Sequence, residues 1–215
     1  MKFVKKLQSK VHSHVIDTQE LWSEKLFRSE LHNIDNQALA EYVDQLKTRS
    51  QGRFASNVGG FQHLLKPEHV TECPAIGDVL EQCTQIANQI LTETLNCDLR
   101  RPLYHSSCWL NSNDYNSHNA KHLHPNASMI CVYYIKTSGS EENGTLSVVN
   151  PLLFHTVNTF ANVMKNLGDV YRVFNSQVDV IPKENQAVFF FPWVEHMVMP
   201  NLDGYERISL AINFR

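Results

Sequence analysis

At 215 residues, 42% apolar and 19% charged, the chain has a globular composition and enough length to bury a substantial core. A net charge of −3 leaves no basic footprint for nucleic acid or an acidic membrane surface. No run approaches the ~18 consecutive apolar residues of a spanning helix.

Residues 1–10 are basic, but no apolar segment follows, so no signal peptide is expected. Cys73, Cys83, Cys97, Cys108 and Cys131 are odd in number and form no C-x-x-C pair. They read as reduced thiols of a cytoplasmic protein, several of them packed as small hydrophobes.

The first third reads as helical. Leu39, Tyr42, Val43 and Leu46 recur at helical spacing behind the N-cap candidates Asp35 and Asn36. A second helix is expected from Pro74 to near Asn96, with Ile76, Val79, Leu80, Cys83, Ile86, Ala87, Ile90 and Leu91 on one face. Between them, the paired glycines of Ser56-Asn57-Val58-Gly59-Gly60-Phe61 mark a loop that needs positive φ or close backbone approach.

From about Leu103 the pattern changes. Residues 104–111, 129–136, 145–149, 178–181, 187–191 and 207–214 are short, β-branched or aromatic, and separated by turn-formers. Asn143-Gly144 is a hairpin-turn candidate. Serial short strands point to an antiparallel sandwich or jelly roll, with the N-terminal helices covering one sheet. Residues 154–165 fit either a helix or an insertion. Phe189-Phe190-Phe191 reads as a buried strand, and Trp109 and the Gly59-Gly60 turn as structural.

Two histidines, His122 and His124, stand one residue apart, so on an extended strand both point the same way. Pro125-Asn126 ends that strand at once. His196 follows 72 residues later, after the apolar run that closes with Phe191-Pro192-Trp193. Strand ends at a barrel mouth are where ligand sites form in β-folds. Eleven residues on, Arg207, Ser209, Ala211 and Asn213 alternate with Ile208, Leu210 and Ile212. If the second set packs between layers, the first lines the interior. An arginine buried there needs an anion, and Ser209 adds a hydroxyl beside it.

The order H-x-H-P, Val132-Tyr133-Tyr134-Ile135, Phe-Pro-x-x-x-His and Arg-x-Ser resembles the Fe(II)/2-oxoglutarate-dependent oxygenases of bacteria and their phages. Upstream, Ser56-Asn57-Val58-Gly59-Gly60-Phe61 and Trp109-x-Asn111 resemble that family's SNxGGW and WxN segments. The resemblance implies a single oxygenase-like domain over 1–215, mainly helical over 1–100, with a double-stranded β-helix (jelly-roll) core over 101–215. It implies Fe(II) at the barrel mouth on His122 and His196, with 2-oxoglutarate as cosubstrate. Arg207 and Ser209 would hold the distal carboxylate, one of Tyr133 and Tyr134 would reach the cosubstrate, and Asn111 and Asn213 would lie nearby.

His124 stands where the superfamily normally has Asp or Glu, and Met129-Ile130-Cys131 where the family tends to Ser-Gly. The expected metal ligands are therefore His122, His124 and His196 together, with a carboxylate such as Asp114 folding back in place of His124 as the alternative. The implied activity is a dioxygenase that hydroxylates a C–H bond of a small-molecule or peptide substrate with O2, releasing succinate and CO2. A cupin-like three-histidine iron dioxygenase without 2-oxoglutarate and a non-catalytic jelly-roll binding module are the alternatives. Substrate identity and oligomeric state are not encoded in any readable motif.

Overall fold

The computed structural model describes residues 24–53, 55–150 and 177–215; the ambiguous stretch 154–165 lies outside them. Helix α1 (Asn36–Arg49) starts where Asp35 accepts a hydrogen bond from the Ala38 N–H at 2.9 Å, and it buries Leu39, Tyr42, Val43 and Leu46. Helix α2 (Pro67–Glu72) is short. Helix α3 (Pro74–Gln89) buries a stripe of Ala75, Ile76, Val79, Leu80, Cys83 and Ala87, then widens into a π-helical turn over Ile90–Thr94. Asn96, at φ 52°, follows that turn, near the helix end expected from the sequence.

Among the described residues, eleven strands form two antiparallel sheets. In chain order they are β1 (Leu26–Glu30), β2 (Asn57–Val58), β3 (Phe61–Leu64), β4 (His105–Asn113), β5 (His118–His122), β6 (Met129–Lys136), β7 (Leu146–Val149), β8 (Gln177–Val180), β9 (Gln186–Phe190), β10 (His196–Val198) and β11 (Arg207–Phe214). The larger sheet runs β1-β9-β6-β11-β4-β3 and the smaller β2-β5-β10-β7-β8. This is the double-stranded β-helix, or jelly roll.

Period-two alternation sorts the larger sheet into two cores. Its outer face, with Cys131, Tyr133, Ile135, Phe189, Ile208, Leu210, Ile212 and Phe214, packs under α1 and α3. Its inner face supplies Ile130, Val132, Tyr134, Val188 and Phe190 to a second core completed by Leu146, Val180 and Val198 of the smaller sheet. The described helices therefore cover the outer face of the larger sheet, as the sequence led us to expect.

Two expectations differ. The N-terminal part is not helical alone, because β1 and β3 edge the larger sheet and β2 edges the smaller. These strands are two to five residues long and too short to show a period. Asn143-Gly144 does not close a hairpin, because β6 and β7 belong to different sheets. The turn instead carries the crossover. Asn143 is fully buried, its amide donates to Asp203 Oδ1 and the Tyr205 carbonyl, and its Oδ1 accepts from Thr137 Oγ1.

Candidate active site

Antiparallel pairing of β5 and β10 sets His122 directly opposite His196. Three residues of β5 span two of β10 just beyond, a bulge of the kind that re-aims side chains at site rims. His124 lies past the end of β5, held by its N–H to the Pro192 carbonyl at 3.1 Å. The ring centroids of His122 and His196 are 4.4 Å apart, those of His122 and His124 5.0 Å, and those of His124 and His196 5.2 Å. The three offer ligand atoms within 4.8 Å of one another and are the one such cluster among the described residues.

Two of the three imidazoles are oriented for a cation. His122 Nδ1 lies 2.7 Å from the Ala120 carbonyl and His196 Nδ1 lies 3.0 Å from the Val194 carbonyl. A carbonyl only accepts, so both Nδ1 atoms donate and both Nε2 lone pairs are left for a metal. Burial favours the neutral form of each ring. It lowers the pKa of His122, takes His124 to about 4 with the neighbouring His122 adding to the effect, and takes His196 to about 3, again with His122 contributing. Asp114 is exposed on the turn after β4, outside the cluster, and Glu195 pairs with Lys121 at 3.3 Å. Among the described residues no carboxylate joins the imidazoles.

The imidazoles open onto a cavity of 470 Å³ whose other end is formed by the larger sheet. Arg207, Ser209 and Ala211 of β11 line it, with Trp109 and Asn111 of β4. Arg207 is 1% exposed, and no acidic side chain among the described residues pairs with it. Its Nη1 donates to Ser209 Oγ at 3.1 Å and more weakly to Asn113 Oδ1 at 3.4 Å, while Nε and Nη2 make no well-aligned hydrogen bond, the buried Tyr134 hydroxyl being a polar neighbour. Burial lowers its pKa, opposed by the charge and hydrogen-bonding capacity of the Tyr134 hydroxyl, and the Tyr134 ring lies 5.1 Å from the guanidinium. Gly144, at φ 69°, lets the crossover turn pass against it, since a Cβ there would sit 2.8 Å from Arg207 Cδ.

Of the two tyrosines, Tyr134 faces this cavity side, with its hydroxyl buried and lacking a well-aligned hydrogen bond. Tyr133 does not. It points into the helix-covered core, where its hydroxyl donates to Asn36 Oδ1 at 2.8 Å. Alternation puts neighbours on opposite faces, so only one of the pair can approach a ligand. Asn111 lines the cavity, and Asn213, on the same face of β11 as Arg207 and Ser209, lies close enough to His124 for its side chain to raise the histidine's pKa, though its Oδ1 makes no well-aligned hydrogen bond. Trp109, read from the sequence as structural, is part of the wall, its ring 6.0 Å from that of His124. Sequence reasoning missed Gln62 and Asn119, which also line the cavity. Their only signal was the pairing Gln62–Asn111 and Asn57–Asn119, visible once strand register is known.

Residues 107–213 match the family model described as "Putative 2OG-Fe(II) oxygenase". This segment belongs to the 2OG-Fe(II) oxygenase family. No curated protein sequence matches the chain. Among solved structures, a prolyl-4-hydroxylase from Pseudomonas putida aligns with a TM-score of 0.60 at 16% identity, over 90% of this chain and 93% of that one. SnoK, a non-heme alpha ketoglutarate dependent carbocyclase from nogalamycin biosynthesis, aligns at 0.62 and 12% identity, over 89% and 79%. HygX from Streptomyces hygroscopicus, solved with nickel and 2-oxoglutarate bound, aligns at 0.56 and 12%, over 89% and 82%.

At these identities the likeness establishes the fold, and the differing reactions of these proteins show that the fold alone does not set the chemistry. Fe(II) and 2-oxoglutarate are the cofactor and cosubstrate of 2OG-Fe(II) oxygenases, and the residues present fit both. Three neutral imidazoles suit iron, and a buried guanidinium with two unfilled donors suits a carboxylate. No helix among the described residues is long and apolar enough to cross a membrane.

Proposed function

We propose that this protein is an Fe(II)- and 2-oxoglutarate-dependent dioxygenase that hydroxylates a C–H bond of its substrate. His122, His124 and His196 hold the metal. Arg207 and Ser209 bind the distal carboxylate of 2-oxoglutarate, with the Tyr134 hydroxyl beside them and Asn111 and Asn213 along the wall. The observation that carries this reading is Arg207: fully buried, without a counter-ion, two donors unfilled, in the same cavity as the imidazole cluster.

When bound, iron and the keto acid supply the oxidising chemistry, the keto acid and O2 being consumed to give succinate, CO2 and a hydroxylated substrate. The chain's own residues bind and orient. The carbonyls of Ala120 and Val194 fix the tautomers of His122 and His196, so that their Nε2 atoms are presented without rearrangement. Ser209 and Asn113 hold the guanidinium in place for a two-point contact with a carboxylate. Ile130, Val132, Leu146 and Val198 wall the cavity with apolar surface and keep water from the reacting groups.

A second reading has an observation of its own. An imidazole cluster that no carboxylate joins among the described residues also suits an iron dioxygenase that binds its organic substrate without 2-oxoglutarate. Calorimetric titration separates the two. The 2-oxoglutarate reading expects saturable binding to metal-loaded protein and succinate release on turnover. Arg207→Ala should weaken that binding by about 30-fold or more, the effect of losing a charge-assisted two-point contact. Equal affinity in wild type and variant would overturn it.

A further inference from the structure

Strand register places four side chains in one row across the inner face of the larger sheet: Gln62 of β3, Asn111 of β4, Ser209 of β11 and Tyr134 of β6. Directly opposed residues share a face, so the row runs from the anion end at Ser209 outward to Gln62. Gln62 Nε2 donates to Asn111 Oδ1 at 2.9 Å, and Asn111 Nδ2 reaches the Trp109 carbonyl only at 3.5 Å. Gln62 is 7% exposed and lines the cavity, and its Oε1 has no hydrogen-bond partner. Two adjacent amides satisfy one acceptor and one donor between themselves. Whichever way round they sit, they leave an acceptor and a donor over.

The cosubstrate cannot fill that acceptor. The dianion of 2-oxoglutarate carries only acceptor oxygens, and its complement is Arg207. We infer that Gln62, held in place by Asn111, is a specificity-determining residue that accepts a hydrogen bond from a substrate N–H, while the spare Asn111 proton meets a carbonyl, so that the substrate is a secondary amide. A ketone, ether or ester offers only acceptors and leaves Gln62 Oε1 unmet, and a hydroxyl donates and accepts from one atom only; an amide offers a donor and an acceptor on separate atoms, as two neighbouring side chains require. The inference rests on the dioxygenase reading only in assigning Arg207 to the keto acid. A peptide and a small acylated amine share this chemistry.

The test uses Zn(II)-loaded full-length protein with 2-oxoglutarate and a panel of N-acetyl amino-acid N-methylamides, matching tetrapeptides, and analogues in which an ester oxygen replaces each N–H in turn. Binding is read by ligand-observed NMR, and 2-oxoglutarate affinity by calorimetry on the same preparations. Wild type should bind at least one amide, and its ester about three- to tenfold more weakly, the scale of one hydrogen bond. Gln62→Met should erase that preference, and Gln62→Glu, which keeps an acceptor oxygen, should retain it. Binding by tetrapeptides alone identifies a peptide source, and equal binding by single residues a small amine, each in support.

The inference is overturned if no panel member binds, if wild type treats amide and ester alike, or if Gln62→Met keeps the preference. Should Gln62→Met fail to fold, the wild-type comparison and Gln62→Glu still decide. Loss of 2-oxoglutarate binding in wild type with the amide preference intact removes the dioxygenase reading and leaves this one. Normal 2-oxoglutarate binding without the preference does the reverse.

Discussion

A guanidinium taken out of water without a counter-ion opposes folding, because the desolvation of a buried charge amounts to several kcal/mol and only partners recover it. Arg207 recovers part of that through Ser209, Asn113 and the Tyr134 ring, and leaves Nε and Nη2 unfilled. Its presence is therefore better explained by a ligand than by stability. Replacing it with an apolar chain of similar length should separate the two roles. In the absence of ligand, Arg207→Met should be as stable as wild type or more stable, by about 1–4 kcal/mol, in urea denaturation. A loss of more than about 2 kcal/mol would instead make Arg207 a structural residue. Arg207 was legible in the sequence because its strand alternates cleanly. Asp114 was a rival ligand only because spacing cannot show where a turn points, and the turn after β4 leaves it exposed.

Helix α1 is tied to the larger sheet through a polar contact as well as through its apolar stripe. Glu206, next to Arg207 but on the opposite face, pairs with Lys47 of α1, accepts from Lys136 of β6 at 2.9 Å, and accepts from Ser112 Oγ of β4 at 2.7 Å. Burial raises its pKa, but these three hydrogen bonds outweigh that and bring it to about 2. In the unfolded chain a glutamate titrates near about 4.3. A group whose folded pKa is depressed contributes stability that is present above the unfolded value and is lost as pH falls toward the folded one. Glu206→Gln should thus be less stable than wild type by about 1–3 kcal/mol at pH 6–7, with the gap narrowing as pH drops from about 4.3 toward 2. A gap that stays constant through that window in denaturation curves would rule out a charge-based tie. Elements of this kind were readable where they were long: α1, α3, β6 and β11 stand within a few residues of where periodicity puts them. The short strands β1, β2 and β3 were not, because their places come from long-range pairing and not from local pattern. Asn143-Gly144 misled for a related reason. A turn dipeptide signals a change of direction, but which strands it joins depends on partners that lie 58–62 residues away, Asn201 and Tyr205 among them.

Across the whole molecule, the two halves of the proposed site sit on different sheets. The imidazoles belong to β5, its trailing turn and β10 of the smaller sheet, whereas Arg207, Ser209, Asn111 and Tyr134 belong to the larger. Between them the smaller sheet contributes few large apolar side chains to the shared core, chiefly Leu146, Val180 and Val198. A keto acid held by iron at one end and by Arg207 at the other would bridge the sheets and add its binding energy to their association. Ligands that bind only the folded state stabilise it by about 2.7 kcal/mol at a hundredfold excess over Kd, worth roughly 5–10 °C in a chain of this size. Melting with Mn(II), a redox-quiet stand-in for iron, should therefore give a rise that disappears with chelator or with His196→Ala. Added 2-oxoglutarate should give a further rise only when metal is present, because its chelating end has nothing to hold without it. That second increment should vanish in Arg207→Met while the first persists. If 2-oxoglutarate stabilises the metal-free protein as much as the loaded one, the two ends are not bridged by one ligand. The imidazoles and the guanidinium would then be separate sites that share a cavity.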